Sequence, residues 1–309
     1  MDYRKIAYEI GEEAEGKTVL TFLKAKGFSS RVISALKRNP YGITIGRKRV
    51  TVQKQLKKGD LLTVRVTNRE SQVDNEYLPP IPMALSILYE DEDVLVINKP
   101  PFLPVHPSMG NRDKTLANGI AYYMQEQKKE FVFRPVHRLD KNTSGAILLG
   151  KNAHSAGVLG EDLKAGKISR SYLAVLQGIL PEEEGTVDAP IARLPGSAIA
   201  RCVMEGGERA ITHYKVLAVG KGYSLVRLWL ETGRTHQIRV HMAYLGAPVA
   251  GDFLYGKEEM AIPRQALHSE TLKFNQPVSG EALFFRAPLP ADILSLIKEK
   301  EIPYEAFDI

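Results

Sequence analysis

The chain has 309 residues, of which 44% are hydrophobic, enough for one large globular domain and a smaller one. Its single cysteine, Cys202, excludes an intramolecular disulfide and a cysteine-ligated zinc site, so we expect a half-buried strand thiol in a reducing compartment. The acidic start and the lack of any long apolar run exclude a secretory signal and a transmembrane helix and predict a cytoplasmic protein.

The positive charge of the chain is concentrated at its N-terminus. Residues 1–70 hold 16 lysines and arginines against 7 acidic residues, a net charge of +9, whereas the remaining residues hold 26 against 29. This asymmetry predicts a basic nucleic-acid-binding module, residues 1–70, attached to a nearly neutral body. The alternative is an ordinary solvated basic surface.

The hydrophobic pattern predicts short elements in the N-terminal module. We predict two helices between residues 18 and 36, separated by Gly27, with Ser29 or Ser30 capping the second. Predicted strands cover residues 7–10, 43–45, 50–52 and 61–66. Residues 71–85 contain three prolines and no periodicity, which predicts an extended linker, and residues 86–309 form the second domain.

Strands outnumber helices in the second domain. The predicted strands are two within residues 87–98, and those at 146–149, 172–176, 211–219, 223–231, 237–240 and 283–285. The predicted helices cover residues 116–127, 151–166 and 291–300. Runs of strands with few helices between them predict an α+β fold with a mixed, largely antiparallel β-sheet.

One stretch combines charge, a turn and a buried strand. Residues 133–150 read FRPVHRLDKNTSGAILLG, so that Asp140 stands beside His137 and Arg138 just before an apolar strand. Neighbouring cations hold such a carboxylate ionised and oriented, which indicates a chemical centre at Asp140. A structural ion pair with Arg138 is the alternative.

Three segments in order resemble one enzyme family. They are HRLDKNTSG at 137–145, SRSYLAVLQG at 169–178 and TGRTHQIRVHMAYLGAPVAGDFLYG at 232–256. Together they closely resemble the RluA-type family of RNA pseudouridine synthases. The resemblance implies an isomerase that converts uridine to pseudouridine in structured RNA, with ribosomal RNA favoured and transfer RNA the alternative. Residues 1–70 resemble the RNA-binding module named after ribosomal small-subunit protein S-four.

The resemblance also implies roles for three catalytic residues. Asp140 matches the essential aspartate, which either adds to the base or sugar or removes a ribose proton. Arg239 matches the arginine that pairs with this aspartate, and we predict that it shares a strand face with Gln237. Tyr172 offers an aromatic face for uracil and a hydroxyl for proton transfer at C5.

A second group of residues is expected to contact RNA. Arg138 matches an arginine that fills the vacancy left when the target uridine flips out of its stack. Arg170 stands where the family most often has lysine and keeps the charge, and the residues around 234–237 are expected to contact phosphate or sugar. The predicted RNA-binding residues are Arg138, His137, Arg170, Arg234, His236 and Gln237.

The reaction implied by the resemblance requires no redox step and no energy source. The chain has no Gly-rich phosphate loop, dinucleotide fingerprint or metal-ligand cluster, so we expect neither a cofactor nor a metal. His236 and His241 would lie on opposite faces of a predicted strand, which disfavours a metal site. We expect a monomer whose partner is RNA. A non-catalytic RNA-binding protein and an N-glycosidase that releases free base are the other hypotheses.

Overall fold

The computed structural model describes residues 3–67, 78–107, 113–256 and 262–304. Residues 71–77 of the predicted linker lie outside these ranges, and its remaining residues, 78–85, have no regular secondary structure. The described N-terminal residues form β1 (Tyr3–Glu9), α1 (Val19–Ala25), α2 (Ser30–Arg38), β2 (Ile43–Ile45), β3 (Lys48–Arg49) and β4 (Leu61–Thr67).

This N-terminal unit is a sheet in the order β1–β4–β2–β3 with two helices packed against it. Ser29 caps α2 as predicted, because its hydroxyl accepts a hydrogen bond from the Val32 amide at 3.3 Å. The strand predicted at 50–52 is wrong. β3 ends at Arg49, and the carbonyl groups of Val52 and Lys54 accept hydrogen bonds from the amides of Leu20 and Val19 at the start of α1, at 2.8 and 2.9 Å, in place of strand partners.

The rest of the described chain forms a larger unit. Its elements are β5 (Ile87–Glu90), β6 (Val94–Lys99), α3 (Leu116–Glu126), β7 (Ser144–Gly150), α4 (Ala153–Lys164), β8 (Ser169–Gln177), β9 (Glu184–Asp188), β10 (Ile191–Arg193), β11 (Arg201–Val203), β12 (Ile211–Gly220), β13 (Tyr223–Leu230), α5 (Gln237–Tyr244), β14 (Leu267–Asn275), β15 (Ala282–Arg286) and α6 (Ala291–Glu299).

The large unit is built on one mixed sheet. Its order is β5–β6–β7–β14–β8–β13–β12–β9, with β15 paired to β14, and among these described strands β7 and β14 make the parallel pair. The sheet confirms the α+β prediction of a mixed, largely antiparallel architecture. Apolar side chains from the sheet and from α3, α5 and α6 form the main core. No helix within the described ranges is both long and apolar enough to cross a membrane.

The central strand β14 was not predicted, because buried polar residues hide its pattern. His268, Ser269 and Glu270 all lie inside the protein, where alternation of polar and apolar residues gives no signal. The parallel junction with β7 is close. Gly145 has φ +110°, and a Cβ there would lie 2.2 Å from the Ser269 carbonyl oxygen, so this position requires glycine.

The strand predicted at 237–240 is wrong, because these residues begin helix α5. Alternating Ile238 and Val240 suggested a period of two, but the helix is buried around most of its circumference and carries no polar face to reveal its period. Tertiary packing overrides the β propensity of these side chains. Arg239 therefore does not share a strand face with Gln237. The side chain of His241 packs toward β12, where its Nδ1 is hydrogen-bonded to Thr212 Oγ1 at 2.9 Å.

The N-terminal unit is docked on the large unit through a buried carboxylate. Arg4 donates to both oxygens of Asp93, at 3.0 and 2.8 Å. Asn152, Ser155 and Gln276 donate to the same carboxylate at 2.8, 3.0 and 3.1 Å. Burial raises the pKa of Asp93, but these donors and the charge of Arg4 outweigh it and lower the pKa below its ordinary value.

An aromatic contact adds to this docking. The ring of Phe28 stacks on His154 at the start of α4, with 3.7 Å between the ring centroids and 11° between the planes. Burial lowers the pKa of His154 to about 4, so the ring is neutral at physiological pH. Apolar and ionic contacts thus hold the two units together in addition to the chain that connects them.

We predict that Arg4→Ala lowers the free energy of unfolding by about 2–3 kcal/mol, because it leaves the buried Asp93 charge without its cation while three neutral donors remain. Urea titration measures this. Lys5→Ala, on the exposed side of the same strand, is the control and should change stability by no more than about 0.5 kcal/mol. Equal decreases in the two variants would contradict the role of the Arg4–Asp93 contact.

Candidate active site

Asp140 lies in a turn that leads directly into β7. Its carbonyl oxygen accepts a hydrogen bond from the Thr143 amide at 3.1 Å, and its side chain is 26% exposed. Two buried cations bind the next two carbonyl groups of the turn. Lys99 Nζ donates to Lys141 O and Arg264 Nη1 to Asn142 O, each at 3.1 Å. The turn is therefore fixed from beneath while its carboxylate faces outward.

The two cations beneath the turn are stabilised differently. Arg264 makes a bidentate ion pair with Asp292, at 2.6 and 2.9 Å. Lys99 donates instead to backbone carbonyl groups, including Pro100 O at 2.8 Å and Leu103 O at 2.9 Å. Burial lowers the pKa of Lys99 to about 7, although the negative charge of Asp140 opposes this shift.

Arg239 is the partner of Asp140. Its Nη1 lies 3.0 Å from Asp140 Oδ2, while Nε and Nη2 bind the two oxygens of Asp252 at 2.6 and 2.8 Å. Burial alone would lower the pKa of Arg239, but the hydrogen bonds and charges of Asp252 and Asp140 outweigh it and raise the pKa. One buried guanidinium is thus shared between two carboxylates, and the exposed one faces the pocket.

Sequence analysis did not identify Asp252. Its Oδ1 also accepts hydrogen bonds from the amides of Leu254 and Tyr255, at 3.0 and 3.2 Å, which makes an Asx-type turn. The available signal was an aspartate directly after Gly251 within the third matching segment. That signal indicates a turn, but it does not reveal a partner 13 residues away.

His236 lies at the start of α5 with a left-handed backbone, φ 60°. Its Nε2 is 3.9 Å from Asp140 Oδ2, and its Nδ1 is 2.9 Å from the Tyr255 hydroxyl. Burial lowers the pKa of His236 below its ordinary value, with the positive charge of Arg239 acting in the same direction and Asp140 opposing it. Tyr255 was also missed by sequence analysis.

An open pocket brings the predicted catalytic residues together. Among its lining residues are Asp140, Tyr172 and Arg239, with Arg138, Arg234, His236 and Gln237 around them. Arg138 and Arg234 are exposed, whereas Tyr172 is only 4% exposed. The exposed arginines suit a polyanion.

Two residues predicted to bind RNA have structural positions instead. His137 is buried and its Nε2 accepts a hydrogen bond from the Leu148 amide at 3.3 Å. Burial lowers the pKa of His137 to about 3, so it adds no charge to the Asp140 cluster, contrary to the sequence interpretation. Gln237 Oε1 accepts from Thr232 and Arg234, and its Nε2 donates to Ile211 O and Thr212 Oγ1.

Gln237 therefore has no free polar atom to offer RNA and positions the 232–234 loop. Arg170 stands two residues before Tyr172 on β8, so the two side chains share a face of the sheet. Arg170 is half-buried, and its charge helps to lower the pKa of His137. Cys202 is a half-buried thiol on β11, as predicted.

The site offers an oriented carboxylate, a phenol and the guanidinium groups of three arginines, with no group of metal-ligating side chains among the described residues. Such a set suits acid–base or nucleophilic chemistry on an anionic substrate. The carboxylate of Asp140 is 26% exposed and would repel a bound polyanion, so its presence in the pocket indicates chemistry rather than binding alone.

Comparisons with known proteins identify the relatives of this chain. The family model described as RNA pseudouridylate synthase matches residues 93–244. The uncharacterized RNA pseudouridine synthase YjbO of Bacillus subtilis is 44% identical over 91% of this chain and 98% of its own length. Ribosomal large subunit pseudouridine synthase D of Haemophilus ducreyi is 38% identical over 77% of this chain and 78% of its own. The solved structure of human RNA pseudouridylate synthase domain containing 1 is 29% identical, with a TM-score of 0.57 over 72% of this chain and 97% of its own.

We predict that Asp252→Asn lowers the free energy of unfolding by about 2–4 kcal/mol, because it removes the buried countercharge of Arg239 without changing side-chain shape. Urea titration measures the change. Asp188→Asn is the matched control, since Asp188 is largely exposed and lies 3.9 Å from Arg209, and its effect should stay below about 1 kcal/mol. An Asp252→Asn protein as stable as this control would contradict the shared-guanidinium arrangement.

Proposed function

We propose that this chain, which belongs to the RluA-type family of RNA pseudouridine synthases and is therefore an isomerase, converts uridine to pseudouridine in ribosomal RNA with Asp140 as the catalytic carboxylate. The observation that carries the proposal is the 3.0 Å ion pair of Asp140 with Arg239, at a pocket that Tyr172 also lines. Ribosomal RNA is favoured because relatives such as the Haemophilus ducreyi protein are named as ribosomal large subunit enzymes. Transfer RNA is the alternative.

The reaction is an isomerisation and needs no co-reactant. The bond between N1 of uracil and C1′ of ribose breaks, the base turns while bound, and C5 bonds to C1′. The hydrogen of C5 leaves as a proton, and N1 acquires a proton. Asp140 either adds to the sugar or base or removes a ribose proton to begin the cleavage. The positive charge of Arg239 favours the anionic form of this carboxylate and directs it.

Tyr172 holds the uracil base while the base rotates. Its ring forms part of the pocket wall, and an aromatic face holds a detached pyrimidine by stacking that tolerates rotation in the plane. Its hydroxyl is available for proton transfer at C5. Because the side chain is only 4% exposed, the entering base displaces some of the side chains that cover it.

The exposed arginines at the rim hold the RNA. Extruding a uridine from its stack costs a few kcal/mol, and the planar guanidinium of Arg138 is suited to occupy the vacancy by stacking and hydrogen bonding. Arg234 donates to Arg209 O at 3.1 Å and pairs with Glu208, which fixes it at the rim, where its charge attracts phosphate. No step requires a cofactor.

We predict that Asp140→Asn abolishes pseudouridine formation while RNA affinity stays within about threefold, because the amide keeps the shape of the carboxylate but cannot act as base or nucleophile. The substrate is total RNA from cells lacking this protein, tritium-labelled at C5 of uracil. Tritium release measures isomerisation and filter binding measures affinity.

Asp162→Asn, on α4, is the matched control and should release tritium like the unmodified protein. If Asp140→Asn weakens binding as much as it slows turnover, Asp140 is structural. Release of free uracil by the unmodified protein, in place of pseudouridine, would indicate an N-glycosidase. If pseudouridine forms only in transfer RNA, transfer RNA is the substrate and ribosomal RNA is not.

We further propose that the N-terminal unit contributes to RNA binding through its exposed basic hairpin, Ile45–Arg49. The double substitution of Arg47→Gln and Lys48→Gln should make log affinity fall less steeply with log salt. The magnitude of the slope should decrease by about 0.7–0.9 for each phosphate that the hairpin no longer neutralises. Lys215→Gln with Lys273→Gln removes the same charge from exposed sites on the large unit and should leave the slope unchanged. An identical slope change in the two double variants would mean that only net charge matters.

A further inference from the structure

We infer that the Tyr255 hydroxyl is a positioning group that fixes the tautomer of His236, so that His236 presents an Nε2–H donor toward Asp140 and the bound uridine. This inference rests on the proposed function and adds Tyr255 and His236 to the proposed catalytic residues Asp140, Arg239 and Tyr172. It follows from one chain of hydrogen bonds that runs from β11 through Tyr255 to the pocket.

The chain of hydrogen bonds begins at a donor whose direction is fixed. The backbone amide of Arg201 lies 2.7 Å from the Tyr255 hydroxyl oxygen, and an amide N–H can only donate. The tyrosine oxygen is therefore the acceptor in this contact, and its own proton is free for a second partner. His236 Nδ1, at 2.9 Å, is that partner among the described residues.

The direction of the second hydrogen bond determines the histidine tautomer. When Tyr255 donates to Nδ1, that nitrogen carries no proton, and the neutral imidazole has its single proton on Nε2. Nε2 is the atom that lies 3.9 Å from Asp140 Oδ2. The hydroxyl thus sets which proton faces the carboxylate, although it does not itself border the pocket.

The 3.9 Å separation leaves room for the substrate. It is too long for a direct hydrogen bond, so a ribose hydroxyl or a small closing movement can complete the contact. The imidazole ring itself is held in place. The backbone of His236 has a left-handed conformation at the start of α5, and the ring packs edge-on against the Tyr255 ring, with centroids 5.7 Å apart. Strain of this kind persists where the surrounding structure imposes it, often at functional sites.

His236 must stay neutral for this role. The groups that face it are the carboxylates of Asp140 and Asp252, which favour protonation, and the guanidinium groups of Arg239 and Arg201, which oppose it. Burial, with only 15% of the side chain exposed, decides the balance and lowers its pKa. A protonated His236 would form an ion pair with Asp140 and withdraw the carboxylate from the substrate.

Tyr255→Phe tests the inference. Removing the hydroxyl takes away a hydrogen bond that only the neutral imidazole accepts, so the pKa of His236 rises toward its ordinary value. The pH dependence of kcat/KM is measured between pH 5.5 and 9 by tritium release from the same labelled total RNA. The acid limb of this profile should move to higher pH by about 0.5–1 unit, because that shift corresponds to the free energy of one hydrogen bond. Tyr244→Phe, an exposed tyrosine on α5, is the matched control and should not shift the limb.

A second pair of variants tests the donor itself. His236→Gln keeps an amide donor near the Nε2 position and cannot titrate, so it should retain at least about tenfold more activity than His236→Ala. Adding Tyr255→Phe to His236→Gln should produce no further shift of the acid limb. A shift that persists without the histidine, or equal activities of the glutamine and alanine variants, would overturn the inference.

The outcomes separate this inference from the proposed function. If the unmodified protein releases no tritium and yields no pseudouridine, the proposed function fails. If it is active but Tyr255→Phe and Tyr244→Phe give superimposable pH profiles, the function stands and the tautomer inference fails. Urea titration of Tyr255→Phe shows whether the variant is folded. If the variant loses activity at all pH values and its acid limb does not shift, the inference also fails.

Discussion

The candidate site depends on one buried guanidinium shared by two carboxylates. Arg239 is almost fully removed from water, and a buried cation is costly unless opposite charges surround it. Asp252 supplies a bidentate contact from within the fold, which leaves the remaining edge of Arg239 for Asp140 at 3.0 Å. Asp252 therefore fixes the arginine, and the arginine in turn directs the carboxylate at the pocket.

The remaining architecture fixes the other half of this contact. Asp140 precedes β7, where Gly145 allows the parallel junction with β14, and Lys99 and Arg264 bind the backbone of the turn from below. These cations are buried completely, so the turn is anchored by hydrogen bonds that water does not compete for. A rigid turn on one side and a fixed arginine on the other keep the carboxylate in place before substrate arrives, as electrostatic preorganisation requires.

Sequence patterns predicted most local elements, and the resemblance to a known family identified the three residues that meet at the pocket, because the matching motifs lie within short segments. Two of the failures of the sequence patterns share a cause, because a buried element lacks the polar face that reveals its period. Helix α5 was taken for a strand and β14 was missed, since burial removes the alternation that distinguishes the two periods. Asp252 and Tyr255 were missed because their partners are distant in the chain. His137 was assigned a charge that burial removes.

If Asp140 performs the isomerisation while paired with Arg239, removing Arg239 must abolish pseudouridine formation in cells. Mapping pseudouridine at nucleotide resolution tests this. Total RNA is compared from cells with the unmodified protein, cells without it, and cells whose only copy carries Arg239→Gln. We expect a ribosomal RNA site that is modified in the first cells to be unmodified in the other two, with the variant protein present at normal abundance. Full modification of that site in the Arg239→Gln cells would contradict the role assigned to the pair.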